Sequence, residues 1–177
     1  MILAINHTAG VDPMAIYATC THRLASFVVA REYYHLPVLG WFQRLAACVP
    51  VDRKRPGRSF FSSSLRLLRD GGCLAIFPEG TWAEPGEPPP EAKAGIGHLA
   101  LRSGATVIPC HISGTKYAYS PFRSYFLRHD IRVRYGRPID LSPLIARQRE
   151  GDVAREASEL IMSRIRALGA EAERDHG

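Results

Sequence analysis

The chain has 177 residues, 46% of them hydrophobic, with 23 Lys and Arg against 17 Asp and Glu for a formal net charge of +6. That is one domain of ordinary size with apolar content for a sizeable core, and its charge suits an anionic partner: nucleic acid, an acidic membrane surface or a phosphorylated small molecule. No run approaches the roughly 20 apolar residues that cross a bilayer, MILAI is too short for a signal peptide and lacks basic residues, and Cys20, Cys48, Cys73 and Cys110 form no CxxC pair, which argues against a zinc or redox site and for buried, reduced thiols.

In chain order, MILAI reads as a buried strand. Asn6-His7 follows it, and Asp12 stands five positions after His7. A residue at i+5 lies well round a helix from i, so the two meet only if His7 is on a loop and Asp12 caps the helix that Pro13 begins. A carboxylate so placed would hold one imidazole nitrogen, fix the tautomer and raise the basicity of the other, making His7 a general base for a hydroxyl. The alternative is an ordinary loop histidine beside a capping aspartate. SFVVA is a second strand. Tyr33, Tyr34, Leu36, Val38, Leu39, Trp41 and Phe42 then form an aromatic and aliphatic segment. Core packing is the expectation there, with contact to a membrane as the alternative.

CVPV is a third strand, leading into VDRKRPGR with Arg53, Lys54, Arg55 and Arg58. Guanidinium groups bind phosphate bidentately, although a solvated basic loop is the usual fate of a charge run. Ser59 caps a helix through Leu68 that stops at Gly71-Gly72. CLAIF runs into Phe77-Pro-Glu-Gly-Thr81, which delivers a carboxylate, a flexible backbone and a hydroxyl to the carboxyl edge of a sheet, where sites in open α/β folds form. Glu79 could accept hydrogen bonds from substrate hydroxyls and Gly80 lets backbone approach a ligand; a tight turn is the plainer reading. EPGEPPP, 84–90, is an exposed proline-rich loop at the rim.

Ala94 to Arg102 is a helix ending near Gly104, and TVIPC and IRVRY are further strands. Between those two strands, Tyr117 to Arg128 mixes Tyr119, Phe122, Tyr125, Phe126 and Leu127 with Arg123 and Arg128, which suits a lipid interface as well as a core. A C-terminal amphipathic helix over 152–174 puts Val153, Ala157, Leu160, Ile161, Ile165 and Leu168 on one face. Strand–helix alternation predicts a single α/β domain over 1–177 with a largely parallel central sheet flanked by helices.

NHxxxxD, a basic segment after a strand, FPEGT and VIP occur here in that order, with LPVLGWFQRLAACVPVDR, Lys93-Ala94-Gly95 and YGRPI around them. Together they resemble the glycerolipid acyltransferase family, which includes 1-acyl-glycerol-3-phosphate acyltransferases; NHxxxxD and FPEGT in register are specific as a pair. The resemblance covers about Asn6 to Pro138 and implies a glycerol-phosphate acyltransferase-like fold. It implies that His7 is the base and Asp12 its orienting partner, that Arg53 with Arg55 binds the acceptor phosphate, and that Glu79, Gly80 and Thr81 of FPEGT face the glycerol part. Lys93 matches a basic position and Pro109 the fourth block. The implied reaction moves a fatty acyl group from acyl-CoA or acyl carrier protein to the hydroxyl of a lysophospholipid, 1-acyl-glycerol 3-phosphate first, in phospholipid biosynthesis. It needs no metal and no cofactor beyond the thioester, involves no nucleic acid, and places the protein peripherally on the cytoplasmic face of a membrane. Another lipid alcohol as acceptor, or a non-catalytic lipid-binding module of the same fold, are the alternatives. Trp82 stands where the family often has Arg, and Thr8 to Val11 are smaller than its usual filling; both bear on acceptor choice. Members carry a hydrophobic or helical segment before the NH motif, which begins here at residue 6. A start cut from a longer chain, with a membrane anchor lost, is therefore left open.

Overall fold

Two fully buried strands meet at the middle of the sheet, and their adjacency decides where the motifs fall. The computed structural model describes residues 1–52, 57–82, 90–118, 122–148 and 151–174. The strands are β1 (Ile2–Ile5), β2 (Ala25–Ala30), β3 (Val49–Val51), β4 (Cys73–Ile76), β5 (Val107–Ser113) and β6 (Arg132–Tyr135). They form one sheet of order β3-β2-β4-β1-β5-β6, parallel throughout except for the edge pair, where Cys110 opposes Tyr135 antiparallel. All four residues of β1 and of β4 are buried, as a strand covered on both faces requires. The register Ala4 to Ile76 brings the ends of β1 and β4 level, so the residues after Ile5 and after Ile76 leave the sheet side by side, while β5 runs on past Cys110, the partner of Ile5, to Ser113.

The helices are α1 (Asp12–Thr19), α2 (Arg31–Tyr34), α3 (Pro37–Leu45), α4 (Arg58–Arg69), α5 (Gly95–Ser103), α6 (Ser142–Ala146) and α7 (Val153–Arg174). On one face of the sheet, α4, α5 and α7 bury Phe60, Leu68, Ile96, Leu99, Ile161 and Ile165 against Ile2, Leu74 and Val107. On the other, α1 buries Ile16 against Leu3, Ile5, Phe27 and Ile112. The contact of α5 with α7 is close because Gly97 has no side chain: a Cβ there would fall on the Ala154 carbonyl oxygen. The Gly97 N–H donates to Ser158 Oγ at 3.0 Å across the same seam.

The expected strands, the mostly parallel sheet and the helix ending at Gly104, which is left-handed (φ +61°), are all present. The C-terminal helix buries Val153, Ala157, Ile161 and Ile165 as expected; Leu160 and Leu168 are half-buried, and Ala154, Ser158, Met162 and Gly169 complete the buried face. Cys48, Cys73 and Cys110 are buried, Cys20 is half-buried, and all are free thiols. Burial pushes Cys73 up to about 11 and Cys110 to about 12, which marks them as inert.

Local details differ from the sequence reading. Asp12 is the first residue of α1 and not its cap; that position belongs to Val11, and no side chain caps the helix. Helix α4 likewise begins at Arg58 after Gly57, and Ser59 makes no capping bond, so glycine leaves the first turn to solvent. The segment expected to pack in the core forms α2 and α3, where Trp41 is 62% and Leu45 67% exposed. Arg53 to Pro56, most of the EPGEPPP loop and Tyr119 lie outside the described residues.

Candidate active site

The site begins where β1 runs out of sheet. Asn6 Nδ2 donates to the Ile112 carbonyl at 2.9 Å and Oδ1 accepts the Ile112 N–H at 2.7 Å. The side-chain amide thus replaces one more rung of the β1–β5 ladder and frees the backbone to turn. Sequence reasoning gave Asn6 no role; its place directly after an apolar strand was the available signal.

Past Asn6 the chain loops so that one buried carboxylate oxygen gathers it. Asp12 is fully buried, and its Oδ2 accepts the backbone N–H of Thr8 at 2.7 Å, that of Ala9 at 2.9 Å, and His7 Nδ1 at 2.9 Å. Its place in the first turn of α1 also favours negative charge. A carboxylate can only accept these bonds, so Nδ1 carries a ring proton, and it is the neutral imidazole held this way whose lone pair lies on Nε2. The i+5 spacing works as expected, with His7 on the loop and Asp12 at the helix start. The smaller residues between them fit because the loop closes on Oδ2 through backbone N–H groups. The His7 ring stacks on Phe77, with centroids 4.0 Å apart and planes at 14°, and meets Trp82 edge-on at 5.5 Å.

The FPEGT segment is a tight turn, with the Gly80 N–H donating to the Phe77 carbonyl at 3.0 Å, Pro78 in the second position and Gly80 at φ +70°. Its carboxylate sits elsewhere than expected. Glu79 is only 5% exposed, and Oε2 accepts the backbone N–H of His7 at 2.9 Å, so it buttresses the His7 loop and is not among the residues lining the cavity. Two carboxylates thereby hold one histidine: Asp12 the ring and Glu79 the main chain. Lys93 donates its own N–H to the Pro78 carbonyl at 2.9 Å and lays its side chain over Gly80, where an added Cβ would come within 2.9 Å of Cε and Nζ. Gly80, Thr81 and Lys93 line the cavity. Arg53 and Arg55 lie outside the described residues.

Burial raises the Glu79 carboxyl to about 7, with the His7 N–H pulling the other way. The folded state therefore binds this proton more tightly than the unfolded chain, whose carboxyl titrates near 4.5. The resulting stabilisation is complete below about pH 4.5 and disappears as pH rises through 7. Glu79→Gln, which still accepts the His7 N–H, should flatten stability across that window. Urea unfolding at several pH values, with unchanged wild-type and variant slopes, would show instead that the carboxyl is not protonated there.

The cavity has a volume of about 630 Å³, within the range of small-molecule sites. It is lined by His7, Trp82 and Tyr125 and, from α1, β2, α3 and α4, by Met14, Tyr17, Phe27, Phe42 and Phe60. A carboxylate-held histidine on the wall of an apolar slot has the means to act on one hydroxyl while a hydrocarbon chain lies beside it. Among the described residues no group of His, Cys, Asp and Glu is placed to hold a metal ion.

Comparison with known proteins gives a consistent picture. The family model described as Acyltransferase matches residues 1–113. An uncharacterized acyltransferase of Schizosaccharomyces pombe is 25% identical over 166 residues, covering 90% of this chain and 56% of the relative. The 1-acyl-sn-glycerol-3-phosphate acyltransferase of Limnanthes douglasii is 30% identical over 139 residues, 76% of this chain and 48% of the relative; that of Bacillus subtilis is 24% identical over 138 residues, 78% and 66%. The crystal structure of the 1-acyl-sn-glycerophosphate (LPA) acyltransferase PlsC from Thermotoga maritima superposes with a TM-score of 0.65 at 20% identity, over 96% of this chain and 66% of that one, a likeness of fold. The chain spans about half to two thirds of the length of these relatives.

Proposed function

Because the chain belongs to the acyltransferase family, we propose that it transfers a fatty acyl group from an acyl thioester, on coenzyme A or acyl carrier protein, to the free hydroxyl of a lysophospholipid, 1-acyl-glycerol 3-phosphate first. The observation that carries this reading is the His7–Asp12 pair, Nδ1 to Oδ2 2.9 Å, with His7 lining the apolar cavity. His7 Nε2 removes the acceptor hydroxyl proton as that oxygen attacks the thioester carbonyl. The new C–O bond forms, the C–S bond breaks, and the imidazolium returns the proton to the leaving thiolate. The buried carboxylate of Asp12 stabilises the imidazolium between those steps. Glu79 keeps the His7 main chain in place, so that Nε2 meets the hydroxyl at a fixed position. The acyl chain lies in the slot; Gly80, Thr81 and Lys93 at its wall face the acceptor head, and Arg53 with Arg55 clamps its phosphate.

The surroundings of the mouth support work at a membrane surface. No described helix is long and apolar enough to cross a bilayer. Trp41, Leu45 and Phe126 are 62%, 67% and 89% exposed, and Arg44, Arg123 and Arg128 lie exposed among them in sequence. Tyr33 of α2 meets Phe122, beside the short 3-10 turn Arg123–Phe126, ring to ring at 6.4 Å, which joins the two exposed apolar segments at the rim of the slot. This composition fits peripheral binding to the anionic, cytoplasmic face.

The test presents wild type with acyl-CoA and acyl carrier protein donors and with acceptors differing only in the phosphate, carried in anionic vesicles, and identifies products by mass spectrometry. Transfer to lysophosphatidate is expected. Arg53→Ala should lower kcat/KM for that acceptor by about ten- to a hundredfold, the size of a lost charge-assisted hydrogen bond, and leave a phosphate-free monoacylglycerol nearly unaffected. Equal losses on both acceptors would assign Arg53 a structural role and point to a neutral lipid alcohol; no ester product from any acceptor would sink the activity itself.

A further inference from the structure

The wall of the slot contains a polar side chain that the reaction does not use. Gln43 of α3 lines the cavity, is only 7% exposed, and has a buried Oε1 with no hydrogen-bond partner. Near it in the fold, the Cys48 N–H donates to the Gln43 backbone carbonyl at 2.8 Å, Tyr17 Oη lies 3.8 Å from Cys48 Sγ, and the Tyr17 ring packs edge-on against Phe42 at 5.7 Å. Tyr17, Phe42 and Cys48 line the same slot. A buried amide oxygen without a partner is a cost that Leu or Met of similar size would avoid, so a slot meant only for methylenes gains nothing from it.

We propose that this slot selects an acyl chain bearing a hydroxyl group, and that the Gln43 side-chain amide is what recognises it. The inference rests on the slot being the acyl site of the reaction above. A hydroxyl both donates and accepts, so it can pair with an amide N–H or, once a turn about the last torsion of the side chain brings the buried Oε1 round to the slot, with the carbonyl. An unsubstituted chain leaves the amide facing methylene groups. A charged substituent fits worse, because Tyr17, Phe42 and Cys48 offer it no counter-charge; burial raises Tyr17 beyond the usual range for a phenol and raises Cys48 likewise, so both stay neutral.

Two measurements test this, one without catalysis. Fatty acids of one length, unsubstituted or hydroxylated at successive carbons, compete with a fluorescent fatty acid for wild type and for Gln43→Leu. The corresponding acyl-CoA donors are then compared by kcat/KM. At one hydroxyl position wild type should bind the hydroxylated chain about three- to tenfold better than the plain one, and Gln43→Leu should remove or reverse that ratio while binding the plain chain at least as well. Plain and hydroxylated chains bound equally at every position, or a ratio unchanged in Gln43→Leu, would overturn the assignment to Gln43 even with transfer proceeding normally. Discrimination in binding that depends on Gln43, without transfer from any donor, would uphold Gln43 and remove the reaction instead.

Discussion

His7→Ala should lower acyl transfer by about 10²–10⁴-fold, the contribution of a positioned general base. The folded protein should survive the change. His7 lines the cavity with its ring stacked on Phe77. Asp12 Oδ2 keeps the Thr8 and Ala9 N–H groups as donors when the ring is gone. Glu79 bonds the backbone of residue 7 and not its side chain, so that anchor is also retained. The loss should fall on kcat, with acceptor KM little changed, because Nε2 acts on the proton in flight and contributes little to holding the ground state. Single-turnover rates with saturating acceptor, together with circular dichroism, check this. Turnover near that of wild type in a well-folded variant would show that His7 is not the base.

Asp12 should be the more costly position, since it serves both chemistry and fold. Asp12→Asn keeps an oxygen for the Thr8 and Ala9 N–H groups but loses the charge that balances the imidazolium. If the new amide turns its NH2 group to His7, it forces the ring proton onto Nε2 and removes the base. A loss of at least about 10²-fold is expected either way. Asp12→Ala should add instability: two N–H groups in the loop and the imidazole lose their acceptor at a fully buried position, at about 1–3 kcal/mol for each buried group left unpaired. Urea unfolding of the two variants separates the effects. Asp12→Asn should be inactive but only modestly destabilised, and Asp12→Ala inactive and clearly less stable. If Asp12→Ala matched wild type in stability, the loop would not depend on this carboxylate; if Asp12→Asn kept its turnover, the pair would not be the base.

The sequence by itself determined the local pieces. Short apolar runs bounded by Gly, Pro and polar residues can be little other than buried strands, and β1, β2, β4 and β5 lie where those runs stand. The spacing of His7 and Asp12 across a helix start allowed the pair, with an ordinary loop histidine as the alternative, and the motifs that follow in order chose between them; the contact itself spans only five positions. Interactions between distant segments could not be read this way. The pattern of β4 says that it is buried, yet nothing in it says that its neighbour is β1, and that adjacency puts Glu79 against the His7 main chain 72 positions away. A carboxylate in a turn at the edge of a sheet reads as a ligand for substrate; only the packing around it showed a buried buttress whose carboxyl is pushed up to about 7. The same holds for Asn6, whose partner Ile112 is 106 positions on. Residues 33–42 show the limit from the other side: aromatic and aliphatic residues satisfy a core or an exposed rim equally well in composition, and their surroundings in the fold left Trp41 in solvent and turned Leu39 and Phe42 towards the slot. Hydrophobic pattern and short spacing act through neighbouring residues and are written in the chain; burial, charge state and the closure of a cavity depend on which distant segments arrive beside them, and those were decided when the sheet assembled.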